Sequence, residues 1–323
     1  MSAADQKPLG SGFAAKSEPD ELMAGIDLSG KTAIVTGGYS GIGVETVRAL
    51  TKAGARVIVP CRNQEKAKVT LANVDAEIAL PFMDLTDLPS VRDFSAKMNA
   101  QLERVDLLIN NAGVMACPLA RVGPGWESQF GTNHMGHFAM TTGLLPLLEA
   151  GEDTRVVALT SIAHKRSGML WDDIQFDETP YDKWTAYGQA KTANSLFALG
   201  LNRRLASSGG RAFTVHPGGI FTPLQRHLST EEQIELGWLG PDGKVNEAAR
   251  DIFKTPTQGC TTSLWAATSP MLADKGGLYC EDCDVAAIAT EASLPYLDVA
   301  PWAVDDEAAE RLWHLSEALL AEV

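Results

Sequence analysis

Thr32-Ala-Ile-Val-Thr-Gly-Gly-Tyr-Ser-Gly-Ile-Gly43 sets an apolar run against a glycine-rich turn, and a helical pattern through Val44, Val47 and Leu50 follows directly. A strand, a glycine turn and a helix in that order open a βαβ unit. The missing side chains at Gly37, Gly41 and Gly43 let the backbone approach a pyrophosphate, while Tyr39, Ser40 and Ile42 complete the turn. The unpaired N–H groups and positive dipole end of the next helix favour such an anion. The glycine spacing departs from the common G-x-G-x-x-G pattern, so the turn alone does not name its ligand.

Outward from this unit, periodicity places strands at 32–36, 56–60, 77–82, 105–110, 154–160, 212–216 and 277–280. Helices are expected at 42–53, 64–73, 88–101, 126–149, 182–207 and 257–268. This alternation predicts an α/β fold, a doubly wound Rossmann-type parallel sheet of about seven strands flanked by helices. Residues 28–323 read as one such domain behind a tail, 1–27, that holds one short helix at 20–24. Two stretches exceed the minimal core. Residues 162–181 carry Met169, Trp171 and Phe176, and residues 223–254 carry Leu228, Leu236 and Trp238. Connections this long are expected as lids or binding loops.

The chain has 323 residues, with 27 Lys and Arg against 41 Asp and Glu, a formal charge of −14. Nonspecific binding to nucleic acid or anionic lipid needs the opposite balance. An anionic cofactor must therefore meet a locally positive site. The five cysteines, at 61, 117, 260, 280 and 283, do not form a disulfide framework and fit a reducing compartment. Cys280-Glu-Asp-Cys283 has no second ligand pair for zinc and follows a strand-like stretch, and His134 and His137 have no acidic partner at ligand spacing, so no metal is expected. No apolar run of about 18 residues and no signal-peptide pattern is present, which predicts a cytoplasmic protein without a membrane association.

Tyr187-Gly-Gln-Ala-Lys191 puts a phenol and an ammonium on one helical face. A fixed positive charge beside a tyrosine favours the phenolate and is expected to pull its pKa down from about 10 toward the working range. Asp106-Leu-Leu-Ile-Asn-Asn-Ala-Gly113 reads as a buried strand running into a polar turn, and Arg155-Val-Val-Ala-Leu-Thr-Ser161 as a strand ending in a hydroxyl. The glycine turn and these two strand motifs fall at the carboxyl ends of parallel strands, where an open α/β sheet binds its ligand.

Together these residues resemble the short-chain dehydrogenase/reductase family over about residues 28–290: the glycine turn from Thr36 to Gly43, Asp84, Asn110-Asn-Ala-Gly113, Asn133, Ser161, Tyr187 with Lys191, and Pro217-Gly-Gly-Ile-Phe-Thr222. Thr132-Asn-His-Met-Gly-His-Phe138, Ala186-Tyr-Gly-Gln-Ala-Lys-Thr-Ala-Asn194 and Thr255-Pro-Thr-Gln-Gly-Cys-Thr-Thr-Ser-Leu264 look most like its retinol dehydrogenase and WW-domain oxidoreductase branch. The resemblance implies that Tyr187 is the acid/base, that Lys191 supports it and binds the nicotinamide ribose, that Ser161 donates to the substrate oxygen, and that the Asn133 amide holds a water leading to Lys191. It also implies that Asp84 and Leu85 contact adenine, that Asn110, Asn111, Ala112 and Gly113 line the adenine ribose, and that Pro217, Gly218, Ile220 and Thr222 meet the nicotinamide amide. Members of this branch in vertebrates often carry a membrane anchor, which this sequence does not display.

Cofactor choice follows from the end of the second strand. An enzyme selective for NAD places a carboxylate there for the ribose 2′-hydroxyl. Here Val57-Ile-Val-Pro60 ends in Cys61-Arg62-Asn63, and the Arg62 guanidinium suits a 2′-phosphate, unless Glu65 takes it as an ion-pair partner. The expectation is an NADP(H)-dependent oxidoreductase interconverting a bulky apolar ketone or aldehyde and its alcohol. A double-bond reductase and a nonenzymatic nucleotide-binding scaffold are the alternatives. A homodimer face on the helices at 126–149 and 182–207 is expected from Phe138, Met140, Leu144, Leu196, Phe197 and Leu199, more apolar positions than one sheet face needs, unless the N-terminal tail covers some of them.

Overall fold

The computed structural model describes residues 5–323. Its sheet has seven strands: β1 (Thr32–Val35), β2 (Arg56–Ile58), β3 (Leu107–Asn110), β4 (Arg155–Leu159), β5 (Arg211–His216), β6 (Leu278–Glu281) and β7 (Asp284–Val285), in the spatial order β2-β1-β3-β4-β5-β6-β7. The first six pair in parallel, and β7 returns antiparallel to β6. The chain steps from β1 outward to β2 and then crosses back to β3, so the ends of β1 and β3 form the switch point where such sheets open a crevice. Alternate residues feed opposite cores. Val35, Ile109 and Val157 pack with Val47, Leu264 and Trp265 on one face, and Ile34, Leu108 and Val156 pack with Phe94 and Phe138 on the other. Burial on both faces is why these strands read as unbroken apolar runs.

Three expectations change. Segment 77–82 is not a strand but makes two isolated bridges, Ile58 to Ala79 and Cys61 to Phe82, beside β2; Pro81 has no N–H to donate to a ladder. The seventh strand is instead β7, joined to β6 through Asp282 and Cys283 at φ 49° and 61°, the left-handed pair that a tight hairpin requires. The Cys280-Glu-Asp-Cys283 motif is this hairpin, with both thiols buried in the core. The expected helix 126–149 is segmented. Trp126–Glu127 pairs antiparallel with Arg121–Val122, the Glu127 carboxylate caps Ser128–Phe130, Gly131–Met135 winds as a π-helical turn, and the α-helix resumes over Gly136–Gly143. Pro146 sits in the first turn of a further segment, Leu145–Glu149, where its missing N–H costs nothing.

The C-terminal helix Asp306–Ala321 lies along the long helix Lys183–Leu205. Trp313 meets Phe138 and Phe197 at ring-centroid distances of 4.9 and 5.9 Å, Leu312 and Ala309 join Leu196 and Leu199, and Arg203 pairs with Asp306 and Glu310. The six apolar residues that suggested a homodimer face are buried within one chain: the C-terminal helix covers Phe138, Leu196, Phe197 and Leu199, and the helix Leu88–Gln101 packs on the segment that carries Met140. Residues 5–27, read as a tail, run elsewhere. Gln6 is buried and trades hydrogen bonds with the backbone of Tyr279 and Ala286, and the Asp284 carboxylate accepts from the N–H groups of Leu9, Gly10 and Ser11. These contacts shield the β6 to β7 edge of the sheet.

Candidate active site

One cavity of about 830 Å³ runs across the carboxyl ends of β1, β2, β3, β4 and β5. Its first end is the glycine turn. Gly41, at φ 54°, precedes the helix Ile42–Lys52, whose N-terminus no side chain caps, and Gly37, Tyr39, Ser40, Gly41 and Ile42 all line the cavity. Gly43 does not line it. A Cβ there would stand 2.4 Å from the Gly37 carbonyl and 2.7 Å from Asn111 Nδ2, so this glycine folds the turn onto the helix. Thr36 locks the turn to the loop after β3: its hydroxyl accepts from the N–H groups of Asn111 (2.9 Å) and Ala112 (3.0 Å), and its carbonyl accepts from Asn111 Nδ2 (2.9 Å).

A buried histidine that the sequence offered only as a rejected metal ligand completes the lock. His137 Nδ1 donates to the Asn133 carbonyl (2.9 Å), which leaves Nε2, 2.9 Å from Thr36 Oγ1, as an acceptor for the threonine hydroxyl. Burial holds this imidazole neutral by lowering its pKa to about 4. Its one available signal was helical: His137 lies four residues beyond Asn133. Asn133 itself is fully buried in the π-helical turn, and its amide is engaged at both atoms, Oδ1 accepting from Val114 N–H (2.8 Å) and Nδ2 donating to Val114 C=O (2.9 Å). These two bonds pin the loop from Asn110 to Val114. Asn110 is buried behind the cavity, donating to Thr141 Oγ1.

At the other end, β4 delivers Ser161, whose Oγ accepts from Ala163 N–H (3.2 Å) and so keeps its own proton to donate. The helix Lys183–Leu205 starts at Asp182, which accepts from Thr185 N–H (2.7 Å) and caps it. Gly188 lets this helix approach, since a Cβ there would stand 2.8 Å from the Ala163 carbonyl. Tyr187 and Lys191 then face Ser161, and all three line the cavity. Lys191 Nζ donates to the Leu159 carbonyl (3.1 Å) and lies 5.6 Å from the Tyr187 ring centroid.

The electrostatics differ from the expectation that Lys191 depresses Tyr187. Both groups are buried, and loss of solvent disfavours both charged forms. Burial raises the Tyr187 pKa against a hydrogen bond with Ser161, and it lowers that of Lys191 to about 8. The phenol therefore keeps its proton at neutral pH. For Lys191 the linkage sign is definite: between pH 8 and its unperturbed value of 10.5 the unfolded chain binds the proton and the native protein releases it, so stability rises with pH across that window and the burial cost is complete below it. Urea unfolding of the cofactor-free protein should show the wild type gaining on Lys191→Met by up to about 1.4 kcal/mol per pH unit above pH 8; parallel pH profiles would contradict this.

Pro217, Gly218, Ile220 and Thr222 line the wall opposite the glycine turn, and a Cβ on Gly41 would come within 3.2 Å of Thr222, so the crevice is narrow there. Beyond β2 the cavity meets Arg62 and, one helical turn on, Lys66, which the sequence reading passed over. Glu65 pairs with Lys68 (2.8 Å), and among the described residues Arg62 has no ion pair. Asp84 and Leu85 also line this end, with Asp84 Oδ1 accepting from Thr86 N–H and hydroxyl. A glycine cradle at a helix N-terminus beside two cations fits the phosphates of a dinucleotide.

The profile of the short chain dehydrogenase family matches residues 31–233. The chain belongs to the short-chain dehydrogenase/reductase family. A Streptomyces lividans protein described as “Probable oxidoreductase” is 40% identical over 293 residues, covering 89% of this chain and 97% of that one. Human retinol dehydrogenase 13 is 36% identical over 305 residues, covering 91% and 85%, which accords with the branch the motifs suggested. A crystal structure of an uncharacterized protein from Mycobacterium paratuberculosis superposes with a TM-score of 0.69 at 31% identity, over 99% of this chain and 97% of that one. As a short-chain dehydrogenase/reductase the protein is an oxidoreductase that works with a nicotinamide cofactor. No helix among the described residues is long and apolar enough to cross a membrane.

The two insertions of this family member behave differently. Of residues 162–181 only the first few reach the cavity; Ile174 and Phe176 are buried against the body, where Gln189 clamps Leu170 and Ile174, and Arg311 stacks on Trp171 at 4.2 Å. The later part of that stretch is anchored on the body, and its first few residues line the cavity. Residues 223–254 instead lie over the site. Leu224, Leu228, Leu236 and Trp238 cluster with Met115 and Tyr187, Trp238 stands edge-on to Trp184 at 6.3 Å, and Glu232 pairs with Lys183. Trp184 was missed, although it sits three residues before Tyr187 on the same helical face.

Proposed function

We propose that this oxidoreductase interconverts a bulky, apolar ketone or aldehyde and its alcohol, with NADP(H) as cofactor and Tyr187 as the acid/base. The observation that carries the reading is the convergence of Ser161, Tyr187 and Lys191 in the same cavity as the glycine turn and Arg62. When bound, the nicotinamide supplies or accepts the hydride. Ser161 can offer its proton where negative charge develops on the substrate oxygen, an oxyanion-type contribution. Tyr187, still protonated at neutral pH, donates to that oxygen in the direction of reduction. Lys191, tied to Leu159, supports the phenol and the ribose. Arg62 and Lys66 supply the positive field for a 2′-phosphate.

The wall of Trp184, Leu236, Trp238 and Phe253 supports a large apolar substrate. Replacing Trp238 by alanine should raise KM for large ketones about tenfold or more, the effect of about 1.5 kcal/mol of lost apolar burial, and leave small ketones nearly unaffected. Equal effects on both would mean that the indole only holds the segment 223–254 in place. The function is tested by following NADPH and NADH oxidation with saturated ketones, aldehydes and enones. Turnover of carbonyls with NADPH supports the reading, and turnover confined to enones replaces it by double-bond reduction.

A further inference from the structure

We propose that the preferred substrate carries a carboxylate at the end remote from its carbonyl, and that Arg226 and Arg166 recognise it; the proposal rests on the carbonyl reading above. In a chain of net charge −14, the cavity is lined by six Lys and Arg side chains and by a single acid, Asp84. Arg62 and Lys66 stand at the adenosine end with Asp84, and Lys191 belongs to the catalytic group. Of the remaining three, Arg166 lies over Trp184 and Arg226 follows Leu224 by two residues, which puts both beside the apolar cluster that Trp184, Leu224, Leu236 and Trp238 form with Tyr187, and Lys165 completes the set.

Their surroundings separate them. Lys165 Nζ is held by the carbonyls of Leu297 (2.6 Å) and Leu294 (3.4 Å), so it is the least free of the three. The Arg166 guanidinium stacks over Trp184 at 5.0 Å, and Trp184 meets Tyr187 edge-on at 6.3 Å, so this charge sits one ring away from the phenol. Asp182 feels the Arg166 charge without closing to an ion pair, and its Oδ1 caps Thr185. Arg226 donates only to the Pro223 carbonyl (3.0 Å), and its charge reaches Cys117, which in turn faces Tyr187. Neither arginine forms an ion pair among the described residues, whereas Arg203, Arg204 and Arg155 all do. An apolar channel with guanidinium groups free of ion pairs and no carboxylate in its lining there complements an amphipathic acid: hydrocarbon against the indoles, carboxylate on the planar donor forks.

The test uses oxo derivatives of stearic acid with the ketone at graded distances from the carboxyl group, each beside its methyl ester, with NADPH and the full-length protein. At least one free acid should exceed its ester in kcat/KM by tenfold or more, the advantage should shrink as salt is raised, and Arg226→Gln and Arg166→Gln should each bring the acid-to-ester ratio toward one. The salt series on the wild type keeps the proposal falsifiable should either variant fail to fold. Esters used as well as or better than the acids, with some ketone turned over, would overturn this proposal and leave the carbonyl reading intact. No turnover of any ketone or aldehyde would overturn both.

Discussion

Replacing Tyr187 with phenylalanine should lower kcat for carbonyl reduction by roughly 10²- to 10⁴-fold, the usual contribution of a positioned general acid. The ring would keep its packing against Trp184, Met115 and Ala163, so the site should stay closed and NADPH affinity should change little. Lys191→Ala should lose both turnover and affinity, because its ammonium serves the phenol and the ribose together. Steady-state kinetics paired with NADPH fluorescence titration separates the two effects. More than a few per cent of wild-type rate in Tyr187→Phe would remove the tyrosine from the mechanism.

Arg62→Asp should invert cofactor preference. A charge-assisted hydrogen bond to a 2′-phosphate contributes about 1.5–3 kcal/mol, a roughly tenfold to hundredfold preference for NADPH. The aspartate would remove that attraction, repel the phosphate, and offer NADH the carboxylate that its 2′-hydroxyl otherwise lacks here. Lys66 would remain in the cavity wall and temper the change, so the double variant with Lys66→Ala should invert further. The measurement is kcat/KM for both cofactors with one ketone. A wild-type enzyme that already uses NADH as well as NADPH would reduce Arg62 to a solvated charge.

Much of the site was legible because its motifs are local. Tyr187 and Lys191 share a helical face through a spacing of four residues, and the glycine turn declares its contact with a phosphate by the side chains it lacks. The strand ends that carry Asn111, Ser161 and Pro217 follow from apolar runs whose period is set by burial on both faces of the sheet. The failures were of another kind. Segment 77–82 had the composition of a strand, but Pro81 lacks the N–H that would join its two bridges into a ladder, and of residues 162–181 only the first few reach the cavity while the rest pack on the body.

From the amino-acid order alone came the parallel α/β architecture, the family, and candidate site residues most of which line one cavity, since each of these rests on spacings within one element or one turn. Only the tertiary structure decided the rest. Desolvation raises the tyrosine and lowers the lysine because the whole body of the protein excludes water from them, a quantity no spacing encodes. His137 comes to hold Thr36 across 101 residues, Trp313 comes to cover Phe138 and Phe197, and Arg226 and Arg166 come to line one cavity. Those arrangements depend on which elements the sheet order makes neighbours, and chain order carries that information only through the folded whole.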